Sequence, residues 1–334
     1  MGIIEIDGSY GEGGGQILRT AISLSSILEK SINIKNIRKN RPKPGLAIQH
    51  IKSIELAREM TDATVDGLYI GSTEIKFIPR KIKGGYYYVD IGTAGSISLL
   101  LQSVMAMAYY ASSPVTFEVI GGTDVKWSPT YDYLGNVLLP ALKKFNYVAD
   151  LSLVSRGFYP RGGGKMILHV EPGTLKSAEF VCPEGDVVNG VSCSSKLPSH
   201  VAERQANSAT KFLEQNGISV GEIKLDIRND VSTGSSITLY KGYLGSSTLG
   251  ERGLPAEKVG SEAAKKILKE IRSGAAVDSN LSDQLIQYMH LATGSSKIIT
   301  SELTSHAITN MWVIEEITGK KFTVEKNGPV CIRS

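Results

Sequence analysis

The sequence predicts an α/β protein of the α+β kind, in which a large domain of repeated strand and helix groups carries a smaller inserted α/β domain. Three observations lead there. Short apolar runs bounded by turn residues alternate, in small groups, with longer runs of helical period. The segment Gly8-Ser9-Tyr10-Gly11-Glu12-Gly13-Gly14-Gly15-Gln16 superposes on Gly157-Phe158-Tyr159-Pro160-Arg161-Gly162-Gly163-Gly164-Lys165, the Gly, the Tyr and the Gly-Gly-Gly all coinciding. A repeated subdomain covering most of the first half is the simplest source of such self-similarity. Finally, the texture changes between about residues 183 and 277 and then returns. The 334 residues, 41% hydrophobic and 21% charged, have ordinary globular composition and suit two domains. The expected division is residues 1–182 with 278–334 as a discontinuous large domain, and 183–277 as the inserted one.

Taken in order, Ile3 to Ile6 reads as a strand, Asp7 to Gly15 as a glycine loop, and Gln16 to Leu28 as an apolar-periodic helix. Ile32 to Ile37 is a second strand, followed by a basic loop and a helix from Leu46 to Met60. Strands at Ile75 to Ile78 and Tyr86 to Asp90 precede an apolar helix, Ser96 to Tyr110. Then come a strand at Val115 to Ile120, the turn Gly121-Gly122-Thr123-Asp124, and a helix from Tyr131 to Phe145. The middle segment holds a polar helix (His200 to Asn216), strands at Ile223 to Ile227 and Ile237 to Tyr240, and an amphipathic helix (Ala256 to Ile271). Helices over Asp278 to Leu291 and Ser305 to Thr318 flank a last strand, Lys297 to Thr300.

The longest apolar stretch, Ile97 to Ala111, is broken by Ser98, Gln102 and Ser103 and falls short of the roughly 20 residues of a membrane span. The first residues show neither a basic region before an apolar core nor a myristoylation signal, so a cytoplasmic protein without membrane contact is expected. Cys182, Cys193 and Cys331 are odd in number and lack paired two-residue spacing, which fits reduced thiols in a reducing compartment. The net charge of +4 is mild. Its distribution is uneven: Lys35, Arg38, Lys39, Arg41 and Lys43 fall in one run, stiffened by Pro42 and Pro44, where a polyanion meets a local field. A solvated loop is the plainer account of the same charges.

Gly11 to Gly15 has little side-chain bulk and opens a helix, an arrangement suited to an anion or to a tight turn. No Walker A sequence and no Rossmann dinucleotide pattern occurs. Arg19 lies in the first turns of that helix, where it either faces back toward the loop or lays its stem on the surface. Of five histidines, His306 stands out because Thr304-Ser305 precede it as a helix cap, which would hold a neutral imidazole beside the helix amino end. No Ser-His-Asp elbow, His-Glu-x-x-His or dense carboxylate cluster appears, which argues against hydrolase and structural-metal chemistry. Asp283 and Gln284 are left as a loose metal or ribose contact, or as solvated residues.

Asp7-Gly8, Gly11 through Arg19, Ile37-Arg38, Arg41 through Leu46, Gln49-His50, Gly121-Gly122-Thr123-Asp124, Gly157-Phe158-Tyr159-Pro160, Gly162-Gly163-Gly164, Asp283-Gln284 and His306 together resemble the RNA 3'-terminal phosphate cyclase family, in order and end to end. The resemblance implies repeated ββαα-type units, each a small sheet backed by two helices, with a small α/β insertion. It also implies a ligase that uses ATP and a divalent metal, Mg2+ or Mn2+, to close an RNA 3'-phosphate into a 2',3'-cyclic phosphodiester. The position matching the family's nucleophile is His306, which would carry AMP.

Residue by residue, the resemblance gives Glu12 the metal and triphosphate, gives Arg19, Arg38, Arg41 and Gln49 the phosphates of ATP or RNA, and lets Gln102, Asp283 and Gln284 complete the pocket. Pro129 and Tyr133 match positions near the adenine, Tyr133 replacing another aromatic. Asn280 stands where some relatives have a tyrosine, which leaves nucleotide selectivity open. RNA with a 3'-phosphate is the expected partner, read with weak sequence preference, since phosphate contacts carry no base information. The oligomeric state is left open. The alternatives are a non-catalytic cyclase-like RNA-binding relative in ribosome assembly, which would lack the histidine, and a metabolic transferase of similar architecture.

Overall fold

The computed structural model describes residues 2–326 and 328–334. The first group of elements is β1 (Ile4–Asp7), α1 (Gly15–Leu28), β2 (Ile32–Lys35), α2 (Ile48–Thr61), β3 (Thr64–Asp66) and β4 (Ile75–Ile78). The second is β5 (Gly85–Asp90), α3 (Ile97–Tyr109), β6 (Val115–Gly121), α4 (Tyr131–Tyr133) running through a π turn (Leu134–Leu138) into α5 (Leu139–Lys144), then β7 (Val148–Ser155) and β8 (Gly164–Glu171). The third begins at β9 (Glu179–Phe180). It is interrupted by β10 (Val188–Ser195), α6 (His200–Gln215), β11 (Val220–Arg228), β12 (Gly234–Lys241), β13 (Leu244–Leu249) and α7 (Ala256–Arg272). It resumes with α8 (Ser279–Leu291), β14 (Lys297–Thr300), α9 (Ser305–Thr318), β15 (Thr323–Lys326) and β16 (Val330–Arg333).

Strand pairing makes the repetition plain. The three groups form sheets of order β1-β2-β4-β3, β5-β6-β8-β7 and β9-β14-β16-β15. In each, the first two strands run parallel across a helical crossover and the last two join antiparallel. Each group therefore runs strand, helix, strand, helix, strand, strand. Alternation sets the faces: Ile32 and Ile34 pair with Ile4 and Ile6 on one side and Phe77 and Ile75 on the other, directing one apolar face inward. One core joins the three groups, with α1 packed on α2, α3 and α9. The interrupting elements form a fourth sheet, β11-β10-β12-β13, with a core of their own around Leu213, Ile237, Leu239, Val259 and Ile267.

The glycine correspondence read from the sequence does not mark this repeat. Gly8 to Gln16 joins β1 to α1, whereas Gly157 to Lys165 joins β7 to β8, a different place in the unit. The glycines serve different ends. Gly11 and Gly13 take φ of +56° in a turn that feeds the helix. Gly157 and Gly164 instead let strands approach, since a Cβ on Gly157 would sit 2.4 Å from the Gly121 carbonyl oxygen and 2.4 Å from the Gly164 amide nitrogen.

Several boundaries also moved, two of them beside the basic loop. β2 stops at Lys35 because Asn36 and Arg38 both turn to φ 54°. α2 starts at Ile48 because Leu46 is occupied in backbone bonds with Ser72 and Gly71. Among the described residues no helix is long and apolar enough to cross a membrane.

Candidate active site

Helices α1, α3, α4, α7, α8 and α9 and strand β13 line a cleft of about 470 Å³. Helical spacing explains which side chains reach it. Gln16, Arg19 and Thr20 come from one face of α1, Asn280, Asp283, Gln284 and Gln287 from one face of α8, and His306 and Asn310 from the first turns of α9. α3 adds Leu99 and Gln102, and the loop before α4 adds Trp127, Ser128 and Pro129. β13 and α7 bring Ser246, Ser247 and Lys266.

His306 is the second residue of α9, whose amino-terminal turn is closed by the Thr304 hydroxyl accepting from the Ala307 amide at 3.0 Å. The imidazole is 48% exposed, with Nε2 3.4 Å from a Glu12 carboxylate oxygen and Nδ1 3.8 Å from Asp283 Oδ2. Both acids are themselves tied to the cap: the Ser305 hydroxyl bonds to Glu12 and the Thr304 hydroxyl to Asp283. Gln16 Nε2 donates to the His306 carbonyl at 3.0 Å, and Asn310 Nδ2 to the Asp283 carbonyl at 2.8 Å. Burial pushes the Asp283 carboxyl up to about 7. The Ser305 hydrogen bond, with His306 and Arg41 adding to it, holds Glu12 below the usual carboxylate range despite partial burial.

The basic residues divide. Arg41 Nη2 bonds to Glu12 at 3.2 Å and so lies next to His306. Arg38 donates to the Gly45 carbonyl at 2.9 Å and braces its own loop. Arg19 reaches the cleft from α1, and among the described residues no carboxylate lies within 4.0 Å of it. Burial pushes its guanidinium down to about 10, still a cation at neutral pH. Gln49 is set apart from the main cleft, in a narrow crevice shared with Arg19 and His50. His50 Nδ1 accepts from the Ala47 amide at 3.0 Å, and burial, then Arg19 and Arg38, push the ring down to about 3, so it is neutral with Nε2 carrying the proton. Nε2 lies against Gly15, where a Cβ would come within 2.3 Å.

At the other end, Gln102 Nε2 donates to Gln284 Oε1 at 2.7 Å, and Gln284 Nε2 to the Asn280 carbonyl at 3.0 Å. Tyr133 lines the cleft while only 4% exposed, and its hydroxyl is held by both Asp278 oxygens at 2.8 and 2.9 Å. The Pro129 carbonyl accepts from Ser98 at 2.7 Å. Arg204 forms a two-pronged pair with Glu257 within the inserted unit, away from the cleft. Among the described residues no three His, Cys, Asp or Glu side chains are arranged to hold a metal alone.

Sequence reasoning missed Gln16, Asn310, Trp127 and Lys266. The first two carry a signal, being one turn from Arg19 and His306 on the same helix faces. It also missed Arg156, 1% exposed, whose guanidinium meets Asp132 at 2.8 Å, Asp226 at 2.8 Å and Asp124 at 3.2 Å and ties the inserted sheet to the wall behind Pro129 and Tyr133.

A family model described as RNA 3'-terminal phosphate cyclase matches residues 10–324. Among curated relatives, the RNA 3'-terminal phosphate cyclase of Methanosarcina barkeri is 50% identical over 97% of this chain and 97% of its own. That of Archaeoglobus fulgidus is 49% identical over 97% and 98%, and that of Pyrococcus furiosus 44% over 97% and 95%. A solved EPSP synthase from Acinetobacter baumannii aligns with 99% of this chain and 64% of its own at 10% identity and a TM-score of 0.31, too low to bear on the fold. A match of this length and identity, to relatives of the same length, means that the chain belongs to the RNA 3'-terminal phosphate cyclase family.

Proposed function

We propose that this protein converts an RNA 3'-terminal phosphate into a 2',3'-cyclic phosphodiester at the expense of ATP, with His306 as the carrier of AMP. The observation that carries the reading is the setting of His306 at the amino end of α9, between Asp283 and Glu12 and open to a cleft that also holds Arg19. With Nδ1 turned toward Asp283, the Nε2 lone pair faces the cleft beside Glu12. It attacks the α-phosphorus of ATP, forming a P–N bond as the α–β P–O bond breaks and pyrophosphate leaves. An oxygen of the RNA 3'-phosphate then displaces the histidine, taking AMP. The vicinal 2'-hydroxyl attacks the RNA phosphorus, loses its proton and expels AMP, closing the ring.

Activation is needed because a phosphate monoester has no good leaving group. Ring closure asks mainly for position, since well-oriented neighbours reach effective molarities of roughly 10⁵ to 10⁸ M. Phosphoryl transfer needs placed positive charge. Arg19 and Arg41 supply it at the cleft and Gln102 and Gln284 shape the sugar contacts, while Arg38 braces the basic loop and Gln49 lines the crevice beside Arg19. Pro129 and Tyr133 wall the base. One carboxylate sharing an ion with substrate phosphates suits Mg2+ or Mn2+, so Glu12 would hold a divalent ion that neutralises charge on the departing pyrophosphate. Residues 183–277 are proposed as an inserted domain within a large domain of residues 1–182 and 278–334, and a cytoplasmic setting fits the ATP and RNA substrates.

The test is incubation with α-labelled ATP and a divalent ion, with and without RNA ending in a 3'-phosphate. An acid-labile labelled protein band, discharged by that RNA as a phosphatase-resistant end appears, is expected. Discharge without a cyclic end, or cyclic ends made without ATP, would overturn the reading.

A further inference from the structure

We propose that Trp127 is the stacking platform for the nucleobase of bound ATP, an assignment that rests on the reading of the cleft as the ATP site. Three observations carry it. First, Trp127 is 94% exposed and yet lines the cleft, so its indole packs on almost nothing in the free protein. Second, its backbone holds φ +62°, a costly conformation for a bulky side chain that persists only where the surroundings impose it. The surroundings do so: the Ser128 hydroxyl bonds to the Val125 carbonyl at 2.9 Å, Lys126 pairs with Glu251 at 2.9 Å, and Pro129 is fixed through Ser98. The loop is pinned on both sides while the ring it presents is left bare. Third, the other aromatics in the cleft offer no face, since Tyr133 is bound to Asp278 and buried and Tyr288 is buried in the core.

The distribution of charge decides which base the indole meets. With the α-phosphorus at His306, the remaining phosphates of ATP seek cations, whereas the adenosine is uncharged. The Glu12 and Arg41 side, continuous with the basic loop, is where pyrophosphate and later the RNA phosphate find charge. Adenosine therefore extends the other way, toward Pro129, Tyr133 and Trp127. Stacking is tolerant of base identity, so Trp127 supplies affinity for the nucleotide more than a choice among purines.

Trp127 and Trp312 are the two tryptophans of the chain, and Trp312 stacks on Tyr10 with ring centroids 4.0 Å apart. Trp312→Phe thus leaves Trp127 as the single indole reporter. ATP should quench its emission saturably, while RNA with a 3'-phosphate alone should not. In the full protein, Trp127→Ala should raise the ATP concentration needed for half-maximal self-labelling by roughly tenfold, with Trp127→Phe close to wild type and the RNA concentration for discharge unchanged. Emission that ignores ATP, or that answers to RNA alone, overturns the proposal, as does an unchanged ATP requirement in Trp127→Ala. The titration needs nucleotide binding only, so a failure to label His306 in the wild type would count against the catalytic reading without deciding this one.

Discussion

At the scale of single residues, the proposed role of His306 turns on Asp283, whose Oδ2 lies 3.8 Å from the His306 Nδ1. Burial pushes the Asp283 carboxyl up to about 7 in the folded protein, against roughly 4 when unfolded. In the proposed reaction the ionised form, with Oδ2 at that distance from Nδ1, is the one that balances the positive charge growing on the ring during attack. Self-labelling with ATP should therefore rise with pH through about 7 and then level. Asp283→Asn should flatten that rise and lower the rate by about a hundredfold, as loss of a positioned acid or base does. A variant with the wild-type pH profile would remove Asp283 from this role. The shift also has a sign for stability: the folded state holds a proton between about pH 4 and 7 that the unfolded state has lost, so this group's contribution declines as pH rises through that window and is constant above it. Tyr133 acts differently, through Asp278, whose carboxylate also accepts from the amides of Asn280, Leu281 and Gly245. Tyr133→Phe removes one buried donor and should cost about 1–3 kcal/mol in urea unfolding.

At the scale of elements, most of the helices that build the cleft could be read from apolar period, because each buries one stripe against the shared core. The same period places Asp283 and Gln284 on one face with Asn280, and also Asn310 with His306, a signal that sequence reasoning missed. Other features had no such signal. β9 is two residues long, β3 three, and each exists only because a neighbouring strand supplies its partners. The helix read over Tyr131 to Phe145 contains a π turn, with the Leu139 amide bonded to the Leu134 carbonyl. Pro140 follows at once: it lacks an N–H and crowds the carbonyl four residues back, which a wider turn relieves. Trp127 lies in a turn-rich stretch without period, and the partners of Arg156 are spread from Asp124 to Asp226, distances along the chain that pattern reading does not bridge.

The start of α1 gives a prediction of its own. Gly15→Ala gains helix propensity worth under about 1 kcal/mol, but its Cβ would meet His50 Nε2 at 2.3 Å. A net loss of about 1–3 kcal/mol is expected from the displaced ring. A raised urea midpoint would mean that His50 is not fixed by that contact.

At the scale of the whole molecule, the cleft is built between parts of the chain that are distant in sequence, so its width depends on how the inserted sheet is fastened. Arg156 is the fastening: it follows β7, meets Asp132 in α4 and Asp226 in β11, and its amide donates to Asp230 at 2.7 Å. The neighbouring Phe158 amide donates to Ser232 at 2.7 Å, and Ser236 to Asp124 at 2.9 Å. Arg156→Met would strand buried carboxylates, and a loss of about 3–5 kcal/mol in urea unfolding is expected. Arg204→Ala, which breaks an exposed pair inside the inserted unit, should leave the midpoint nearly in place. Equal effects of the two would show that burial at Arg156 does not set the strength of the joint.

The proposed function rests on one covalent step, and peptide mass mapping after incubation with ATP and a divalent ion examines it most directly. A single AMP on the peptide containing His306, removed when RNA with a 3'-phosphate is added and missing from folded His306→Ala, is the expected result. AMP on a lysine instead, or an adduct that survives in His306→Ala, would contradict the assignment of His306 as the nucleophile.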